Sequence, residues 1–300
     1  MGLIRTVMGN FDAEKINGFV LLHEHLKVDS SNIKKDKDSK CLDKEAIIED
    51  VIELKKYNGE VLVDQTPYGL KKDKKFAAEV MKKTGIKIVS STGFYFGLFL
   101  PEYVINWEVE KIRDFFLKDI FESNFPSGLI GEIGISGFEI LPAEERIIHG
   151  AIEAQKVSNV AISFHTYYGM NAKNIIKICN KYGANLNKVI LSHMDLYPDI
   201  NMQIELAKLG VLIGYDNVSR KDYRSDEDRA LALVKLIEKG YEDYIYISSD
   251  RSRLSHHKKY GGVGYKYVLD EFLLMFTNYV NDNNIINKIL KINPLRVLQF

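Results

Sequence analysis

The sequence predicts an α/β fold, a (β/α)8 TIM barrel, on three observations. Short apolar runs that end in polar or small residues recur eight times along the 300 residues. Amphipathic helical segments separate the later runs, and no low-complexity linker or charge block divides the chain. The runs are apolar enough to be buried strands, and strand–helix alternation with buried strands is the pattern of a parallel barrel. A barrel absorbs this length in one core, so residues 1–300 are expected to form one domain.

The elements follow in order. FVLLHEH (19–25), EVLVDQT (60–66) and IKIVSSTG (86–93) are the first three strands. The very polar SSNIKKDKDSKCLDKE (30–45) reads as a surface excursion after the first. An insertion over 94–127 follows the third, with an aromatic tip, GFYFGLFLPEY, and one helix, VEKIRDFFLKDIFES. GLIGEIG (128–134), VAISFHT (160–166), KVILSHMD (188–195), GVLIGYD (210–216) and YIYISSD (244–250) complete the set. Between them lie the helical patterns AEERIIHGAIEAQK, AKNIIKICNKYG, NMQIELAKLG and DRALALVKLIEKG. The last three stop at Gly183, Gly210 and Gly240, as helix C-termini often do.

Composition excludes several classes. Lys+Arg and Asp+Glu are equal at 41 each, so no nucleic-acid or anionic-membrane partner is expected. Cys41 and Cys179 lie far apart in no CxxC pattern, which points to a reducing cytosol. MGLIRTVMGNFD lacks an apolar signal region, and no apolar stretch reaches bilayer length, so the expected location is cytoplasmic.

Chemistry is expected at the C-terminal ends of barrel strands. Strand 1 ends in His23 and His25, which alternation sends to one face with Glu24 on the other. Strand 4 carries Glu132, strand 5 ends in His165, strand 6 in His193 and strand 8 in Asp250. Taken singly, each has a plain structural explanation as a hydrogen-bonded core residue. Four of the chain's seven histidines and two carboxylates on one rim point instead to a shared metal site. Imidazole and carboxylate without thiolate suit Zn, Mn, Co or Fe.

RTVMGNF, HEHL, IGEIG, SFHT, LSHMD, SSD and the closing NPLRVL, in that order over essentially the whole chain, resemble the phosphotriesterase family of the amidohydrolase superfamily. The resemblance implies two divalent ions, Zn first. His23, His25 and Asp250 would hold the more buried ion, His165 and His193 the more exposed one. Members of that family often bridge the ions with a carboxylated lysine on strand 4. This chain has no lysine between Lys118 and Lys156, so Glu132 is expected to bridge, as in a Glu-bridged, lactonase-like branch. Asp250 is then placed as the catalytic proton acceptor for a metal-bridging hydroxide.

The loops after strands 7 and 8, DNVSRKDYR and DRSRLSHHKKYGGVGY, are rich in basic and aromatic residues. Barrels often bind a phosphate there, and Lys221 and Arg253 fall just past the strand ends. Tyr95 stands where lactonases resembling this chain have a tyrosine beside the metals. Together these imply a small-molecule substrate, a phosphorylated sugar lactone, with a phosphotriester or phosphoester hydrolase as the enzymatic alternative. A metal-binding protein without catalysis is the alternative of another class. The aromatic stretch 94–103 is either an active-site lid or a homodimer contact.

Overall fold

In the computed structural model, which describes residues 2–300, eight parallel strands form one sheet in chain order. They are β1 (Phe19–Glu24), β2 (Gly59–Asp64), β3 (Lys87–Thr92), β4 (Ser127–Gly134), β5 (Ile162–His165), β6 (Val189–Ser192), β7 (Leu212–Tyr215) and β8 (Ile245–Ile247). Each expected strand is present, and the sheet curls into a barrel with the helices outside.

Side-chain alternation divides the core in two. Val20 and Leu22 of β1, Val61 and Val63 of β2, and Ile190 of β6 pack inside the barrel. Their neighbours Leu21, Leu62 and Leu191 face the helical layer. The antiparallel hairpin Leu3–Thr6/Gly9–Asp12 and the C-terminal helix Asn293–Leu298 close the bottom, adding Ile4, Leu295 and Leu298 to the inner cluster. No helix among the described residues is long and apolar enough to cross a membrane.

The first strand meets the last through Glu24, the middle residue of the HEH motif. Its buried carboxylate accepts hydrogen bonds from Ser249 N (2.9 Å), Ser249 Oγ (2.8 Å) and Arg251 N (3.0 Å). Asp250 N donates to His23 O at 3.1 Å beside it. Glu24 therefore pins the strand-8 exit against strand 1, which places Asp250 next to the two histidines.

The polar segment 30–45 is not a free excursion. Lys40–Cys41 pairs antiparallel with Val28–Asp29, and Cys41 is fully buried. Its Sγ lies 3.1 Å from His257 Nε2, whose Nδ1 is 2.7 Å from Asp50 Oδ2. Asp36 binds Arg253 at 2.7 Å and Asp38 accepts from Ser255 N at 2.7 Å. The segment is thus strapped to the loop after β8. The polar composition that suggested solvent is largely used in these pairings.

Removing the Glu24 carboxylate leaves two buried backbone N–H groups without acceptors, each worth about 1–3 kcal/mol. Glu24→Ala is expected to lower unfolding free energy in urea by about 2–6 kcal/mol. Glu24→Gln, which keeps one acceptor oxygen, should lose less. A loss below about 1 kcal/mol for the alanine variant would contradict the clasp.

Candidate metal centre

At the C-terminal mouth, strand register levels the ends of β4, β5 and β6: Gly134 pairs with His165, and His165 with Ser192. Glu132 reaches the centre from a segment that needs glycine on both sides. Gly131 has φ +147°, and a Cβ there would meet Ser163 O at 2.8 Å. A Cβ at Gly134 would meet Phe96 N at 2.7 Å, so only glycine lets the Tyr95–Phe96 backbone approach β4 this closely. His193 (φ 63°) and Asp250 (φ 46°) occupy the left-handed region, a strained conformation that concentrates at functional sites.

The six strand-end residues come together. Glu132 Oε1 lies 2.7 Å from His165 Nδ1, 3.1 Å from His193 Nε2 and 3.6 Å from His23 Nε2. His25 Nε2 is 3.1 Å from Asp250 Oδ1. The rings of His23 and His25 sit 5.5 Å apart, centroid to centroid, on the same side of the strand as alternation requires. All but His165, which is partly open, are buried.

A further set of groups orients the rings. Asp216, at the end of β7, lies 2.8 Å from His23 Nδ1 and 2.9 Å from His193 Nδ1. A carboxylate can only accept here, so both Nδ1 atoms carry a proton and both Nε2 atoms are the ones turned to the centre, available to a metal ion once deprotonated. Thr66 Oγ1 donates to Asp64 at 2.7 Å and so accepts from His25 Nδ1 at 3.1 Å, which turns His25 Nε2 toward Asp250 and the centre. His23 Nε2 is buried with no hydrogen-bond partner. This orphaned buried nitrogen stands 3.6 Å from Glu132 Oε1, too far for a hydrogen bond. A metal ion would give it a partner, so the residues fit metal ions. His23–His25–Glu132 and Glu132–His165–His193 each bring their donor atoms within 4.8 Å of one another.

The electrostatics agree. Burial would raise the Glu132 carboxyl, but His165 and His23, with hydrogen bonds from His165 and His193, hold it well below its usual range. Burial likewise opposes ionisation of Asp216 and Asp250. His193 and His23 keep Asp216 ionised, and Arg220 and His25 do so for Asp250. Burial alone would lower His23 and His193, but Asp216 and Glu132 raise both, so the three charged carboxylates draw positive charge to the centre, carried by protons or by metal.

Above this floor opens a cavity of about 380 Å³. Phe96, Ile135 and Leu196 give one wall an apolar character, while Lys34, Arg220 and Arg253 stand on another. Tyr95 lines it with its hydroxyl 3.3 Å from the His165 ring nitrogens. Burial pushes this phenol well above its usual range, with Glu132 and Asp250 adding to the effect. Lys221 is exposed and outside the cavity lining, because the loop turns it outward. Its neighbour Arg220 turns inward instead and ion-pairs with Asp250. Arg253 lines the cavity but is paired with Asp36 and Asp38. Asp216, Arg220 and Lys34 were not singled out from sequence. Asp216 had the same strand-end signal as the histidines; Arg220 and Lys34 were hidden among loop charges.

The model of the phosphotriesterase family matches residues 2–298. The phosphotriesterase homology protein of Escherichia coli is 28% identical over 286 residues, covering 94% of this chain and 98% of its own. Its crystal structure, with phosphate in the active site, superposes with a TM-score of 0.93 at 27% identity, covering 96% of this chain and 100% of that one. The N-acetyltaurine hydrolase of Xenopus tropicalis is 27% identical over 346 residues, covering 100% of this chain and 98% of its own. A lactonase from Listeria monocytogenes superposes with a TM-score of 0.93 at 25% identity, covering 99% of each chain.

Asp216→Asn offers an acceptor to one ring and an amide N–H to the other, so one histidine must change tautomer. Metal affinity, measured by competition with a chromogenic chelator, is expected to fall about 10–100-fold with the fold retained. Unchanged affinity would remove Asp216 from the centre.

Proposed function

The chain belongs to the phosphotriesterase family, and we propose that this metal-dependent hydrolase opens a phosphorylated sugar lactone. The observation that carries the reading is a cavity with imidazole and carboxylate donors on its floor and Lys34, Arg220 and Arg253 in its lining. A reacting carbonyl fits the floor and an anionic group fits the wall.

His23, His25, Glu132, His165, His193 and Asp250 would hold two divalent ions, Zn first, with Glu132 between them. When bound, such ions supply an activated water and polarise the carbonyl under attack. Asp250 accepts the proton released as the tetrahedral carbon forms and returns it to the departing ring oxygen. Arg220, ion-paired with the same carboxylate, keeps Asp250 ionised for that task. The Tyr95 hydroxyl, at the edge of the floor, orients the lactone by hydrogen bonding. Phe96 and Ile135 shield the reacting face from bulk water.

The relatives support a carbonyl centre with an anionic neighbour. One is a lactonase, and another holds phosphate in its active site. N-acetyltaurine hydrolases favour a second reading, cleavage of an N-acyl amide on an amine with an anionic tail. Attack at phosphorus, as in a phosphotriester, would leave the cationic wall without a role.

The test is a turnover screen on metal-loaded protein, following acid release. It compares γ-lactones with and without a terminal phosphate, an N-acyl aminosulfonate and a chromogenic phosphotriester. Preferential hydrolysis of the phosphorylated lactone is expected. Activity confined to the amide would select the second reading, and activity confined to the triester would overturn both. Asp250→Asn, assayed at saturating metal, is expected to lower kcat by about 10²–10⁴-fold; full activity would exclude its proton-transfer role.

A further inference from the structure

The cavity wall carries three cationic side chains, and two are already neutralised. Arg220 is ion-paired with Asp250. Arg253 binds Asp36 at 2.7 Å, with Asp38 at 3.6 Å. Lys34 also lines the cavity, yet among the described residues its ammonium has no carboxylate within ion-pair distance and no hydrogen-bond acceptor. Every partnered cation here serves the protein's own architecture, and this one does not.

The Lys34 side chain is solvent-exposed, but its backbone is held in place. The segment that bears it is fixed at both ends by the Val28–Cys41 and Asp29–Lys40 pairing. Ser30 N donates to Ser39 O at 3.0 Å, and Ser255 Oγ donates to Asp38 Oδ2 at 2.7 Å. The Arg253–Asp36 pair therefore acts as a clamp that presents Lys34 from the strand-1 side. Burial, with Arg253 and Arg220, lowers the Lys34 pKa from the usual lysine value, and the Asp250 and Glu132 carboxylates at the floor oppose them. Once dications occupy the floor, these carboxylates no longer offset it and the ammonium faces an electropositive cavity. An incoming oxyanion is the partner that such a group lacks.

We propose that Lys34 is the substrate-anion anchor of this enzyme, binding the phosphate of the lactone directly, with Arg253 holding the Lys34 segment in place. This rests on the phosphorylated-lactone reading for the identity of the anion. It moves the recognition point from the loops after β7 and β8 to the segment after β1, and leaves Lys221 without a part in it.

The experiment uses the metal-loaded protein and the variants Lys34→Met, which keeps an unbranched chain as far as Cε, and Lys34→Arg, which keeps the charge. The ratio of kcat/KM for a phosphorylated γ-lactone over its unphosphorylated counterpart is measured for each. A charge-assisted contact predicts that the ratio falls about tenfold or more in Lys34→Met and largely returns in Lys34→Arg. A ratio within twofold of wild type in Lys34→Met overturns the proposal. If wild type hydrolyses neither lactone, the functional reading fails, and calorimetry with ribose 5-phosphate decides about Lys34. Binding weakened about tenfold or more by Lys34→Met supports the anchor; equal binding overturns it.

Discussion

The Glu132 carboxylate, buried near the end of the fourth strand, stays ionised only because imidazoles crowd it from three other strands. Its Oε1 is within 3.6 Å of His23, His165 and His193. Strand register brings these groups together, since a one-residue slip would turn each side chain to the opposite face. Burial opposes charge on His23 and His193, but Asp216 and Glu132 raise both, so the buried carboxylates are balanced by imidazole protons that a metal ion would displace. The barrel thus holds imidazole and carboxylate donors around one point, where they could hold metal ions.

Second-row contacts set this arrangement. Asp216 fixes two tautomers at once, the Thr66–Asp64 pair fixes a third, and Glu24 holds the strand-8 exit that carries Asp250. Each accepts hydrogen bonds from groups that would otherwise turn away from the floor. The strapped segment after the first strand extends the same principle outward, using acidic residues to hold basic ones and leaving Lys34 unpaired at the cavity.

Much of this was legible in the sequence. Eight buried runs produced the barrel because burial on both faces leaves a local signature in each strand. The strand-end histidines were found because a barrel converts position along each strand into nearness at the mouth. The proposal that they ligate metal rests on that proximity and on the family, not on motif spacing. The polar loops were less legible. Nothing local distinguishes Lys221, which turns outward, from Arg220, which turns inward, since their orientation depends on a carboxylate thirty residues further on. Likewise the charges of 30–45 read as solvated until the loop after β8 supplied their partners. Asp216 was visible at a strand end but silent, because its role is to hold other ligands.

The most direct test of the central claim is anomalous X-ray diffraction from crystals grown with zinc or manganese. The account predicts two anomalous peaks about 3.5–4 Å apart, one on either side of Glu132, with His23 and His25 at one and His165 and His193 at the other. A single peak, or none, with Glu132 bound only to protonated imidazoles, would contradict it.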